Sequence, residues 1–336
     1  MAIITTAVSI TPIYRLENIP WGVRFLRWSL RQKKRLWNRR LHRRFSRLFF
    51  VKAKNFFARQ KMTLALESGQ RAVMPANRDY FNFLYLPPWC DEAGCFFELE
   101  YVRLLQKLAG RGGVFYDIGA NWGYFGHALA GQKDFSGQVH FFEPHPKTHA
   151  DLREIGRQFG LQNKEFYHDF ALGAREEKLY LATSHHYEAG RAFVCREKTP
   201  LAIDVKTLDS LSLPPPAAMK LDVEGYEENA LRGAEKLLRQ HKPYIILENM
   251  IDRPDLSHGP LQFLEGLGYQ LFLPCWQISF KGQDFYTTDI NLGIHQPAKL
   301  ALVPTAAATR ALTNPLVSNL FACHQSRLEE MKTVLA

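Results

Sequence analysis

No apolar run in this chain of 336 residues reaches the roughly 18–20 residues that a helix needs to cross a bilayer. There is no low-complexity block and no internal repeat, which argues against a solenoid, a fibre or a long disordered tract. Cysteine is scarce: Cys90, Cys95, Cys195, Cys275 and Cys323 are odd in number and scattered. They do not read as a disulfide framework, and Cys90 and Cys95 lack the second Cys/His pair that a zinc centre needs. Met1 to Thr11 is apolar but has neither the basic lead nor the small-residue cleavage site of a secretory signal. A cytoplasmic location in a reducing compartment is therefore expected.

Acid is missing from one stretch. Residues 24–54 hold nine arginines and four lysines without a single aspartate or glutamate. The remaining 30 basic and 33 acidic side chains nearly cancel, so the net charge of +10 belongs to a segment and not to the body. Leu26, Leu30, Trp37, Leu41, Phe45 and Leu48 fall on one side at helical spacing, with arginines filling the rest. This predicts a basic amphipathic helix inside an N-terminal extension of residues 1–60. Its expected partner is an anionic membrane surface, met peripherally on the inner face, or another polyanion. The alternative is a helix packed on the body with a solvated charged face. Specific nucleic-acid recognition is not expected, because no aromatic-rich RNA-recognition module accompanies the charge.

What is present is a recurring strand–helix alternation. Val114-Phe115-Tyr116-Asp117 is an apolar run closing on an acid, followed by Ile118-Gly119-Ala120-Asn121-Trp122-Gly123 and an apolar-periodic stretch through Phe125 and Leu129. A buried strand feeding a helix through a small-residue turn is predicted, with Gly119 and Gly123 leaving room for a ligand against the main chain. A plain structural turn would read the same way. Gln138 to Glu143 is a second run ending in a carboxylate, where a ribose diol is held in dinucleotide-type folds. Strands are predicted at 165–170, 217–222, 243–249 and 269–273, with helices at 123–132, 147–159, 226–240 and 261–267. Phe97 to Leu108 reads as a helix before the first core strand, and Leu300 to Val303 as a closing strand. Residues 177–206 interrupt the alternation with extra strands around the loop Ser184 to Arg191. The organisation expected is a basic extension (1–60), an entry subdomain of short strands (61–96), an α/β core (97–304) and a C-terminal helical tail (305–336). The core is a mostly parallel sheet with helices on both faces, which places ligands beyond the strand carboxyl ends.

Five ordered motifs carry a resemblance. Asp117-Ile118-Gly119-Ala120-Asn121-Trp122-Gly123, Glu143-Pro144, Ala171-Leu172-Gly173, Thr207-Leu208-Asp209 and Lys220-Leu221-Asp222-Val223-Glu224-Gly225-Tyr226-Glu227 together resemble the FkbM-type S-adenosylmethionine-dependent methyltransferases. The resemblance runs from about Phe97 to about Tyr269. It implies a Rossmann-like class I methyltransferase fold, S-adenosylmethionine as cofactor, and O-methylation of a hydroxyl on a sugar, polysaccharide or related metabolite. It also implies site roles. Asp117, Gly119, Ala120, Asn121 and Gly123 would surround the methionine moiety, Glu143 would take the ribose hydroxyls, and Asp169 to Ala171 would lie against the adenine.

Lys220, Asp222 and Glu224 are the catalytic candidates, because two acids and a lysine converge at the ligand end of a central strand. Their bland reading is that the acids cap the following helix. His186 and Arg191 are candidates for acceptor recognition on the interrupting loop. Asp222 with Glu248 and Asn249 would form an oxygen-donor set for Mg²⁺ or another divalent cation, in the manner of catechol O-methyltransferase-like enzymes. The alternative is that Glu248 would pair with Lys220 from the neighbouring strand, leaving no ligand set. A nicotinamide-dependent oxidoreductase shares the glycine turn and the ribose acid but leaves Asp222-Val223-Glu224-Gly225 without a role. An RNA-directed methyltransferase using the basic segment is the other alternative.

Overall fold

A computed structural model describes residues 2–19, 61–75, 96–183, 192–248, 254–280, 282–288, 298–305 and 319–336. The basic segment 24–54, the loop with His186 and Arg191, and Asn249 lie outside the described residues. So do the expected strands at 83–86 and 290–294. In chain order the first strands are β1 (Ile4–Thr6), β2 (Tyr14–Glu17), β3 (Lys61–Leu66) and β4 (Arg71–Pro75). Helix α1 (Leu99–Leu108) leads into β5 (Val114–Ile118), α2 (Tyr124–Ala130), β6 (Gln138–Phe142), α3 (Pro146–Phe159) and β7 (Glu165–His168). Four short strands follow: β8 (Ala171–Leu172), β9 (Glu177–Thr183), β10 (Ala192–Cys195) and β11 (Ala202–Lys206). Then come β12 (Ala218–Leu221), α4 (Glu227–Arg232), α5 (Glu235–His241), β13 (Tyr244–Glu248) and α6 (Pro254–Gly266). The chain closes with β14 (Tyr269–Phe280), β15 (Gln283–Thr287), β16 (Ala298–Pro304), β17 (Asn319–His324) and α7 (Leu328–Leu335).

The chain forms two compact units. The smaller comprises residues 11–97 and 157–160 and contains the antiparallel sheet β2-β3-β4. Met62, Leu64 and Leu66 of β3 are buried there, and Glu17 pairs with Arg71 across the sheet. β2 and β3 are neighbours in this sheet, so part of the expected extension 1–60 and part of the expected entry subdomain share one element.

The larger unit is built on a ten-stranded sheet in the order β1-β16-β14-β17-β13-β12-β5-β6-β7, with β15 paired to β14. Strands β13, β12, β5, β6 and β7 are mutually parallel. Their sequences are apolar without alternation, and all four residues of β12 and the last four of both β5 and β6 are buried. Burial on both faces is what helical cover of a parallel sheet requires. The α/β expectation thus holds at its centre.

The other half of the sheet differs from what the pattern predicted. β17 runs antiparallel to both β13 and β14 and lies between them. The tail expected to be helical from Pro315 therefore contributes a sheet strand, and only Leu328–Leu335 beyond it is α-helical. The apolar stretch Leu320-Phe321-Ala322-Cys323 is buried throughout and too short to arbitrate between strand and helix by periodicity alone. β14 also runs through Pro274, where the pattern seemed to weaken. Residues 177–206 fold as expected into extra strands, forming a separate sheet β10-β9-β11-β8 with its own small core.

Two contacts explain why the connections end where they do. The predicted helix 226–240 is broken into α4 and α5 at Gly233-Ala234. Asp209 then accepts the N–H groups of Lys236 and Leu237 at 2.8 and 2.9 Å, capping α5 from a distant loop. Glu227 does the same for the turn before α4. Its buried Oε1 accepts from the N–H of Val223 (3.0 Å) and of Gly225 (3.2 Å).

Candidate active site

The site lies where β5, β6, β12 and β13 end. After Ile118 the chain turns over the tip of β6: the N–H groups of Gly119 and Ala120 both donate to the carbonyl of Phe142, at 3.0 and 3.1 Å. Gly119 has φ +75°, and a side chain there would place Cβ 1.8 Å from the carbonyl oxygen of Asp222. Gly123 has φ +77°, and its Cβ would fall 2.6 Å from Leu152 Cδ1 and 2.7 Å from the His127 ring. The space beside both glycines is thus taken by protein. Glycine at both positions lets β5 and β12 end together and the loop enter α2.

Asp117 is buried, and its Oδ2 accepts from the Gly126 N–H at 3.0 Å. Burial pushes its carboxyl up to about 6, against the pull of the nearby Lys220 ammonium. The residue expected to face a ligand ammonium therefore ties β5 to the first turn of α2. Asn121 adopts a left-handed backbone (φ 51°), which turns its N–H toward Glu143 Oε2 at 2.9 Å. The other Glu143 oxygen accepts from the His145 N–H at 2.8 Å. Burial holds the Glu143 carboxyl up at about 7 in spite of these two bonds. Each carboxylate oxygen has more than one acceptor direction, so the pair of main-chain bonds fixes the group without exhausting it. Asn121 Oδ1 is buried and has no partner among the described residues. A buried acceptor calls for a donor, and the ammonium and ribose hydroxyls of S-adenosylmethionine are donors of the needed kind. The loop and Glu143 therefore fit that cofactor.

Asp169 stands exposed just past β7 and so reaches the same end of the sheet. Ala171 does not face this site with its side chain. It is buried in the core of the small sheet with Leu179, Leu181, Ile203 and Val205. The register explains this: Ala171 is the partner of Val205 in the β8–β11 pair. His145, His149 and His168 are partly buried. His168 meets His140 at 3.1 Å and stacks on Phe142, and burial lowers all three from the usual imidazole value.

The catalytic candidates do converge. Lys220 on β12 is buried, and its Nζ donates to Asp222 Oδ2 at 2.6 Å while lying 4.7 Å from the centre of the Phe125 ring. Burial alone would depress this ammonium, yet Asp222, Glu98 and Asp117 around it outweigh burial and hold it above its ordinary value. Asp222 keeps about a third of its side chain exposed, enough to meet a substrate. The helix-capping alternative does not apply to Asp222, since Glu227 bonds the N–H groups before α4. Glu224 has a left-handed backbone (φ 52°) and contributes charge toward Glu248.

Two further groups enter from positions that no motif marked. Glu98 precedes α1 with φ 48°, and its Oε1 accepts from Asn319 Nδ2 at 2.6 Å. Burial raises its carboxyl to about 7, against the field of Lys220. Asn319 opens β17, so it was hidden by the helical reading of the tail. Glu98 carried a weak signal only, an acid set between Phe97 and Leu99.

The divalent-cation set is not supported. Among the described residues no group of three His, Cys, Asp or Glu side chains is placed to hold an ion. Asp222 is bonded to Lys220, and burial with the Asp222 and Glu224 charges pushes the Glu248 carboxyl up to about 9, the protonated state near neutrality. Lys220 pairs with Asp222 and not with Glu248, so that alternative is corrected as well.

Residues 117–271 match the model of the methyltransferase FkbM domain. Among solved structures, a methyltransferase FkbM from Methylobacillus flagellatus KT is similar at 19% identity over 57% of this chain, with a TM-score of 0.38. The chain spans 44% of that protein's length. Precorrin-6y C5,15-methyltransferase from Geobacter metallireducens GS-15 is similar at 14% identity, covering 68% of this chain and 88% of that one, with a TM-score of 0.37. An rRNA methylase from Streptococcus thermophilus is similar at 12% identity over 62% of this chain and 95% of that one, with a TM-score of 0.34. No curated protein matches the chain.

Proposed function

We propose that this chain, whose residues 117–271 match the methyltransferase FkbM domain, uses S-adenosylmethionine to methylate a hydroxyl on a sugar, polysaccharide or related metabolite. The observation that carries the reading is the buried Lys220 bonded at 2.6 Å to the part-exposed Asp222, at the strand ends that also bear Glu143 and Asn121. When bound, S-adenosylmethionine supplies a methyl group already activated on a sulfonium. Glu143 would take the ribose hydroxyls, Asn121 Oδ1 would accept from the amino-acid portion, and Asp169 would serve the adenine. What remains for the protein is alignment of the acceptor oxygen, exclusion of water and removal of one proton.

Asp222 would take that proton from the acceptor hydroxyl as the oxygen receives the methyl group. Lys220 holds the orientation of Asp222 through their 2.6 Å bond. No step is routed through a metal ion. Among the described residues no helix is long and apolar enough to cross a membrane. The partnership of residues 24–54 with an anionic surface is a proposal from composition alone, namely thirteen cations without an acid.

Asp222→Asn tests the role. With methyl-labelled cofactor and a glycan extract, the full chain is expected to give alkali-stable label, as an ether does. The variant should lower the rate about 10²–10⁴-fold, the usual worth of a general base, while its affinity for S-adenosylhomocysteine holds. Label released by mild alkali, or full activity in the variant, would remove hydroxyl methylation by this base.

A further inference from the structure

Asn319 is the first residue of β17 and the cross-strand partner of Glu248 on β13, so the two side chains stand next to each other on one face at the site end of the sheet. Its main chain is fixed by the Tyr101 hydroxyl, which donates to the Asn319 carbonyl at 2.9 Å. Its amide is oriented by Glu98: the carboxylate Oε1 can only be met by the NH₂ group, at 2.6 Å. The other amide atom, Oδ1, is therefore an acceptor. The residue is 1% exposed and Oδ1 has no partner among the described residues. Glu98, in turn, faces Lys220 and Asp222, the pair assigned to proton removal. Both residues lie outside the matched span 117–271. Asn319 reaches the site because β17 inserts between β13 and β14, and Glu98 is tied to it by the Asn319 amide.

We propose that Glu98 and Asn319 form a subsite for a second hydroxyl of the acceptor, beside the hydroxyl that gives its proton to Asp222, so that the enzyme selects a vicinal diol. The inference rests on the reading of the site as a hydroxyl methyltransferase. A hydroxyl is the group that suits the position. It donates to the orphaned Asn319 Oδ1 and can approach Glu98, whereas an ammonium would meet Lys220 at the centre of the cluster. The subsite makes and breaks no covalent bond. It sets which of two neighbouring hydroxyls stands over Asp222, and its occupant remains unmethylated in the product.

The test uses the full chain saturated with S-adenosylhomocysteine and methyl α-D-mannopyranoside as the probe, read by saturation-transfer difference NMR. Calorimetry with S-adenosylhomocysteine is run first on the same samples. The expected result is transfer to the ring protons flanking the vicinal diol. A loss of at least fivefold is expected in both Asn319→Ala and Glu98→Gln, with cofactor-product affinity within twofold of the parent. Glu98→Gln keeps side-chain length and a partner for Asn319, so it reports on the subsite even where Asn319→Ala fails to fold. Equal transfer in parent and Glu98→Gln overturns the proposal, as does absence of transfer in the parent with S-adenosylhomocysteine bound. Failure of the parent to bind S-adenosylhomocysteine would instead sink the methyltransferase reading itself.

Discussion

Gly119→Ala is expected to destabilise the protein by about 3 kcal/mol or more, summing a left-handed backbone for a non-glycine residue (about 1–2 kcal/mol) and overpacking (about 1–3 kcal/mol). The added methyl would lie 1.8 Å from the Asp222 carbonyl oxygen, and that atom is main chain, so it cannot rotate away. Relief requires β5 and β12 to part at their ends. The Asp222 N–H bond to the Ile118 carbonyl at 3.0 Å would go with it. Urea unfolding followed by circular dichroism measures the loss, and binding of S-adenosylhomocysteine should fall in the surviving folded fraction. A change under 1 kcal/mol would mean that the loop is looser than its geometry states.

Lys220→Met is the second large effect. It leaves Asp222, Glu98 and Asp117 around a site that has lost its cation. Removing one partner of a buried pair costs about 3–5 kcal/mol, because the remaining charge is uncompensated. The loss depends on pH, and its sign follows from the acids. Glu98 and Asp117 already have folded-state values of about 7 and about 6, above their ordinary 4.5 and 3.8. Without Lys220 they move higher still. An acid raised in the folded state keeps its proton while the unfolded chain gives its own up. Stability therefore falls as pH rises from the unfolded value through the folded one. The deficit of Lys220→Met should accordingly be larger at pH 8 than at pH 5 in urea unfolding. A deficit that shrinks toward pH 8 would show that the acids do not depend on this lysine.

The parallel half of the fold was legible because its signals are local. Each strand from β5 to β13 is a short apolar run bounded by turn residues, and Asp117, Glu143 and Asp222 mark strand ends by themselves. The antiparallel half was not, because β17 is placed by long-range pairing that no local pattern encodes. The tail carries the same apolar residues a helix would use, and only the gap between β13 and β14 makes Leu320 to Cys323 a strand. Asn319 was lost with it.

At Gly119 and Gly123 a left-handed turn and a close approach leave the same mark in a sequence. Which neighbour fills the space, here Asp222 at Gly119 and His127 at Gly123, is decided by strand register. The side-chain position of Ala171 in the small sheet was hidden for a related reason. The predicted strand 165–170 stops at His168, and the chain enters the other sheet at Ala171.

The claim on which the rest depends is that the loop Gly119 to Gly123 and Glu143 hold S-adenosylmethionine. Isothermal titration of the full chain with S-adenosylhomocysteine and, separately, with NAD tests it most directly. The expected result is one site for S-adenosylhomocysteine, no heat from NAD, and an affinity weakened by about 1–3 kcal/mol in Glu143→Ala, the usual worth of hydrogen bonds to a charged group. Binding of NAD in place of S-adenosylhomocysteine, or an unchanged affinity in Glu143→Ala, would contradict it.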